Sequence, residues 1–160
     1  MIKRIKAAWL AFRDPELVEI KDELTGALTR KTFFRVANRE LARTKRQQQQ
    51  LSLVFLDLDN LKNINDMRGH KAGDIHLRKC AQVVMKHIRP YDILARIGGD
   101  EFVLLLPGAT GDEAEMIIRR IYNLFPEFSW GISSWFEGAN LESLLEKADT
   151  GMYRVKEKKK

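Results

Sequence analysis

The first apolar residues recur at helical spacing. Ile2, Ile5, Trp9 and Phe12 form a stripe and Lys3, Arg4 and Lys6 fall off it, which predicts an amphipathic helical extension over residues 1–19. After a turn at Thr25-Gly26, the stretch Lys31 to Lys45 places Phe33, Phe34, Ala37 and Leu41 along one helical face. The glutamine run from Gln47 to Gln50 reads as the frayed end of that helix and a loop, with no function of its own. There the period changes. LSLVFLDLD, Leu51 to Asp59, is apolar and β-prone, the pattern of a central strand buried on both faces. A polar segment, NLKNINDMRGHKAGD, leads into a helix from Asp74 to His87, with Ile75, Leu77, Ala81, Val84 and Ile88 apolar. DILARI and EFVLLLP read as strands joined by a tight turn at Gly98-Gly99. GDEAEMIIRRIYNLF is amphipathic helix and EFSWGISSWF alternates as a strand. NLESLLEKADTGMYRVKEK closes the chain as a helix with Leu141, Leu144, Leu145, Ala148, Met152 and Val155 on its apolar side.

Beyond the extension, the order is β-α-β-β-α-β and then a helix. This predicts one α+β domain over residues 20–160, a ferredoxin-like split βαβ sheet with helices on one face. Composition agrees: with 160 residues, 44% hydrophobic and 31% charged, the chain is globular and large enough for a core. Lys plus Arg number 28 against 22 Asp plus Glu. The resulting charge of +6 suits a phosphate-rich ligand, an acidic partner or a membrane surface. The single cysteine, Cys80, excludes an intrachain disulfide and fits a reducing, cytoplasmic compartment. No apolar run is long enough to span a bilayer. The N-terminal AAWLAF is too short for a signal peptide's hydrophobic region and Arg13 closes it. That extension is expected to pack on its own domain, pair with a second subunit, or touch a membrane.

The chemistry gathers where the apolar runs stop. With the first strand central and the hairpin beside it, Asp57, Asp59, Asp100 and Glu101 crowd one rim of the sheet. Like charges held that close are unfavourable. A hard divalent cation with oxygen ligands relieves them. Mg²⁺ fits, with Mn²⁺ as the alternative, because carboxylates plus substrate phosphates meet its octahedral demand. Gly98 and Gly99 leave the backbone bare, so amide donors approach a phosphate or a flat base closely.

These residues carry a resemblance. GGDEF, Gly98 to Phe102, is the signature of diguanylate cyclases, which condense two GTP into cyclic di-GMP. DLDNLKNINDMRGHKAGDIHL (Asp57 to Leu77), DELTGALTR, FSWGIS and ADTGMYRVK are similar to that family's other blocks, in order, from Asp22 to Lys156. The resemblance implies a palm-like, nucleotidyl-cyclase version of the sheet. It also implies Mg²⁺ on Asp57, the Leu58 carbonyl and Asp100, with Glu101 assisting. Asp100 or Glu101 is the proton acceptor. Substrate contacts fall on Asn60, Leu61, Lys62, Gly98 and Gly99. Asn65 and Asp74 are placed on the guanine edge, and Lys156 and Lys160 at the triphosphate. A carboxylate at Asp74 accepts from guanine N1 and N2, a donor pair adenine lacks, which argues for GTP. The plainer role for Asp74 is a helix N-cap after Gly73. Because each domain holds one GTP, the active form is expected to be a homodimer.

RPYD, Arg89 to Asp92, stands at the family's offset for an R-x-x-D site where cyclic di-GMP inhibits as product. Arg89 would stack on or fork to a guanine and Asp92 accept from its edge. The plainer reading is a surface ion pair. His70 belongs to a turn, and His76 and His87 have no assigned role. The chain departs from the family at Leu61, where an aromatic is usual, and in its KEKKK terminus, where a Gly-Arg-Asn tail is common. The segment before FSWGIS is too short for a small hairpin that the family usually has. A catalytically inactive domain that binds cyclic di-GMP or GTP is the alternative. A nucleic-acid enzyme is disfavoured, because the basic residues form no aromatic-interleaved stripe.

Overall fold

A computed structural model of the chain describes residues 21–159. The expected helix over 1–19 and Lys160 lie outside the described residues. The elements are β1 (Leu28–Thr29), α1 (Arg30–Gln47), β2 (Leu51–Leu58), α2 (Leu61–Arg68), α3 (His70–His87) and β3 (Ile93–Arg96). They continue with β4 (Glu101–Pro107), α4 (Gly111–Leu124), β5 (Phe128–Ser134) and α5 (Leu141–Glu157). They build one five-stranded sheet in the order β1-β3-β4-β2-β5. β1 runs parallel to β3, and every other pairing is antiparallel. The α+β, palm-like architecture expected from the sequence is therefore present.

β2 is an interior strand between β4 and β5, and every one of its residues is buried. Because successive side chains point to opposite faces, an unbroken apolar strand needs cover on both sides. Val54, Leu56 and Leu58 pack with Leu77, Ala81 and Val84 of α3 and with Ile118 and Ile121 of α4. Leu51, Leu53 and Phe55 pack with Phe33 and Leu41 of α1 and Leu144 and Met152 of α5. Helices therefore cover both faces, which corrects the expectation of one. Where α5 crosses β5 the backbones nearly touch: a Cβ on Gly131 would stand 2.0 Å from the Ala148 carbonyl oxygen and 2.2 Å from Met152 N.

The polar segment after β2 is helical rather than irregular. Asn60, at φ 60°, turns the chain left-handed into α2, whose residues are all at least partly exposed. With no buried stripe, α2 left no periodic trace in the sequence. Gly69, at φ 81°, separates α2 from α3, which starts at His70 and not at Asp74. Asp74 lies inside the helix, so the N-cap role falls away. Ile75, expected on the apolar side, is 61% exposed, because the buried face of α3 runs through Leu77, Cys80, Ala81 and Val84. β1 was not foreseen. Its two residues are too few for a sequence pattern, and they are held by β3 and by the Lys21–Leu28 bridge. Only residues 125–127 join α4 to β5, and they hold no hairpin.

Candidate functional site

Register brings the acids together. Asp57 is paired with Glu101 on β4 and with Ser129 on β5 at one end of the sheet. Leu58 N–H donates to the Asp100 carbonyl at 3.0 Å, which pins the Gly-Gly turn to the end of β2. Within the turn, Ile97 N–H and Gly98 N–H both donate to the Glu101 carbonyl, at 2.9 and 3.3 Å. Arg96 braces it from below: its Nη2 and Nε donate to the Gly99 carbonyl at 2.7 and 3.1 Å. The same guanidinium pairs with Asp22, whose carboxylate also accepts from Thr25 N at 2.9 Å. Burial opposes ionisation of Asp22, but the Thr25 hydrogen bonds and Arg96 outweigh it and hold the carboxyl below its ordinary range. Neither Arg96 nor Asp22 was singled out from the sequence. The available signal was an arginine just before a Gly-Gly turn.

The rim is electrostatically strained. Asp57 is 7% exposed. Burial pushes its carboxyl up, and Asp100 and Asp59 add to this. Together they outweigh the hydrogen bond from Lys156 Nζ, at 2.5 Å from Oδ1. Burial also raises Glu101, followed by the charges of Asp100, Asp57 and Asp149, against a smaller opposing pull from Arg30. Lys156 sees mostly negative neighbours. Burial works to lower it, yet the Asp57 hydrogen bond and the surrounding carboxylates hold it above its ordinary range. The sequence placed Lys156 at the triphosphate, and the structure sets its ammonium on Asp57, at the same rim. Asp59 accepts from Ser129 Oγ and Lys159 Nζ, both at 2.8 Å.

Hard oxygen donors at a strained rim suit a small divalent cation that takes its remaining ligands from phosphate and water. Among the described residues no group of three or more His, Cys, Asp or Glu encloses a metal by itself. Asn65 of α2 meets α3 at Gly73, where a Cβ would stand 2.0 Å from Asn65 Oδ1. That oxygen is buried and accepts no hydrogen bond within the protein. Asp74, the next residue on α3, and Lys62 on α2 are exposed. The structure thus groups Asp57, Asp100, Glu101 and Lys156 at the sheet end, and Asn65 with Asp74 at the α2–α3 junction.

The R-x-x-D segment forms a closed turn. Asp92 is 6% exposed, and its Oδ2 accepts from Arg89 N at 2.7 Å while its own N–H donates to the Arg89 carbonyl at 3.1 Å. Asp92 shapes the loop rather than presenting a free edge. Arg89 is exposed, donates to Tyr91 Oη at 3.3 Å and lies over that ring at 5.9 Å.

A palm-like sheet with a carboxylate rim and a bare Gly-Gly turn defines a nucleotidyl-cyclase type of domain. The family model for the diguanylate cyclase GGDEF domain matches residues 19–160, and the chain belongs to that family. It is 34% identical over 156 residues to diguanylate cyclase DgcS of Shewanella oneidensis, covering 92% of this chain and 53% of the relative. Against diguanylate cyclase DgcP of Pseudomonas aeruginosa it is 34% identical, covering 94% of this chain and 24% of the relative. The chain therefore spans about half or less of these relatives' length. Among solved structures, the GGDEF domain of DgcB from Caulobacter crescentus, in complex with cyclic di-GMP, superposes with TM-score 0.83. It is 26% identical, covering 87% of this chain and 91% of that one. Diguanylate cyclase SiaD from Pseudomonas aeruginosa, in complex with its activator SiaC, superposes with TM-score 0.86. It is 27% identical over 98% of this chain and 67% of that one.

Proposed function

We propose that this chain is a diguanylate cyclase domain that condenses two GTP into cyclic di-GMP and pyrophosphate, with Mg²⁺, as a cytoplasmic homodimer. The observation that carries this is the convergence of Asp57, Asp100 and Glu101 beside the Gly98-Gly99 turn in a chain of this family. Asp57, the Leu58 carbonyl, Asp100 and Glu101 would hold the metal, which supplies charge neutralisation at the transferring phosphate. The 3′-hydroxyl of each GTP attacks the α-phosphorus of the other, so two phosphodiester bonds form and two P–O bonds to departing pyrophosphates break. Glu101 or Asp100 accepts the hydroxyl proton. Burial, and then the charge of Asp100, hold the Glu101 carboxyl above its ordinary range before a cation binds.

Asn65 Oδ1 and the Asp74 carboxylate accept from guanine N–H groups, which gives the unpartnered Asn65 oxygen its donor. Lys62 and Lys156 meet the phosphates. Asn60 and Leu61 shape the turn beneath them. Two such half-sites meet across a two-fold axis, since each holds one nucleotide. Cyclic di-GMP inhibits through the exposed Arg89, on a loop that Asp92 holds in shape.

The test is incubation of the purified chain with GTP and MgCl₂, with separation of the products. Cyclic di-GMP and pyrophosphate are expected from GTP. Neither is expected from ATP, with EDTA, or from Asp57→Asn. GTP or cyclic di-GMP bound without turnover points to a binding module instead. Failure to bind either nucleotide overturns both readings.

A further inference from the structure

The C-terminal end of α5 with the residues just after it, and the end of β2 with the turn that follows, meet in two ion pairs, Lys156 with Asp57 and Lys159 with Asp59. The first belongs to the site described above. The second uses Asp59, which shares that rim but is not among the proposed metal ligands or catalytic groups, and its geometry is that of a built socket. Lys159 Nζ lies 2.8 Å from Asp59 Oδ2, 2.7 Å from the Phe128 carbonyl and 5.0 Å from the centre of the Tyr122 ring. Those three partners come from the β2–α2 turn, β5 and α4. The socket is itself ordered: Tyr122 packs edge-on to Phe128 with centroids 5.4 Å apart, and Asp59 Oδ1 accepts from Ser129 Oγ. An ammonium with an anion, a carbonyl and an aromatic face on three sides is held far better than a lone surface pair.

We infer that Lys159 and Asp59 are a positioning pair for substrate binding, clamping the β2–α2 turn against the segment that leaves α5. That turn carries Asn60 and leads into α2 with Leu61 and Lys62, which the proposed function places at the phosphates, and α5 carries Lys156. α5 also packs on β2 through Leu144 and Met152, and at the rim its other polar link to the end of β2 is Lys156 with Asp57, which themselves contact the ligand in that reading. Lys159 holds the two walls at one separation without touching the nucleotide. The inference rests on the proposed function and adds to it a residue that sets affinity.

The experiment compares the chain with Lys159→Met, Lys159→Arg, Asp59→Asn and the double variant Asp59→Asn/Lys159→Met, reading KM for GTP, kcat and thermal stability. Lys159→Met and Asp59→Asn are each expected to raise KM roughly fivefold, about the worth of one partly exposed charged pair, with kcat within twofold. The double variant is expected to be no worse than the worse single one, and Lys159→Arg to recover most of the loss. Should Lys159→Met fail to fold, the neutral near-isostere Lys159→Gln takes its place. An unchanged KM in a folded variant, or a fall in melting temperature with both kinetic constants intact, overturns the clamp. Calorimetry with GTP on the unaltered chain separates this from the parent reading: no binding there sinks the cyclase, whereas equal binding by wild type and Lys159→Met sinks only the clamp.

Discussion

Alanine at Gly98 should switch off turnover while leaving the fold standing. A Cβ at that position would lie 2.1 Å from Glu101 Oε2, 3.0 Å from its Cδ and 3.2 Å from its Cβ. The first distance is more than 1 Å short of ordinary van der Waals contact, so the carboxylate has to move by about that much. Gly98 is not among the positive-φ glycines, and alanine is tolerated by its backbone. Pushing Glu101 off its rotamer costs about 0.5–1.5 kcal/mol. Replacing glycine in a compatible conformation recovers about 0.4–1 kcal/mol through the unfolded chain. These nearly cancel, so the melting temperature should stay within about 3 °C. Displacing a reacting group by 1 Å costs about 100-fold in rate, or about 2.7 kcal/mol of barrier. The assay is kcat by pyrophosphate release at saturating GTP and Mg²⁺, with a thermal melt of the same preparation. At Gly99 an added Cβ meets nothing within 4 Å. Loss in Gly99→Ala should therefore appear in KM, as obstruction of the ligand, and not through Glu101. A Gly98→Ala protein that keeps kcat within threefold of wild type would show that the Glu101 carboxylate is not needed where the structure puts it.

Three further outcomes test separate parts of the molecule. The folded Asp22 carboxyl sits below its unfolded value of 3.8, so the stability it supplies is complete above that value and is lost as pH falls through the lower folded one. Urea unfolding from pH 2 to 6 should show this acid limb flattened in Asp22→Asn, and an identical limb would remove the Arg96–Asp22 brace. Gly131→Ala drives a methyl into the backbone of α5 and should cost at least about 3 kcal/mol in chemical denaturation; a loss below 1 kcal/mol contradicts the close packing on β5. Arg89→Ala should abolish the slowing of progress curves by added cyclic di-GMP, and persistent inhibition would move the inhibitory site elsewhere.

The parts of the fold that were legible in the sequence are those with a local period. β2 was recognisable because burial on both faces leaves Ser52 as its single polar residue before Asp57. The hairpin was recognisable because Gly98-Gly99 splits two apolar runs. α2 was not, since a helix with no buried residue has no stripe to show. Asp74 was weighed as a cap because Gly73 precedes it, but the chain breaks instead at Gly69, where φ is positive and glycine is favoured. Contacts between distant parts of the chain leave no local trace at all. Asp22 with Arg96 spans 74 residues, Asp57 with Lys156 spans 99, and Asp59 with Lys159 spans 100.

The acids themselves were legible for a thermodynamic reason. A buried carboxylate among other carboxylates contributes nothing favourable to a core, and burial raises both Asp57 and Glu101 against ionisation. One lysine does not reverse that for Asp57, and Arg30 does not reverse it for Glu101. The fold tolerates the cost because the strands that end there are buried over most of their length, from Leu51 to Leu58 and from Phe102 to Pro107. A rim strained in this way gains most from a cation and a phosphate ester arriving together, since the ion relieves the carboxylates and the carboxylates fix the ion. Lysines alone supply only the first half of that exchange. That is why the proposed function puts the chemistry at the strained end of the sheet and not on the exposed surface around Arg89.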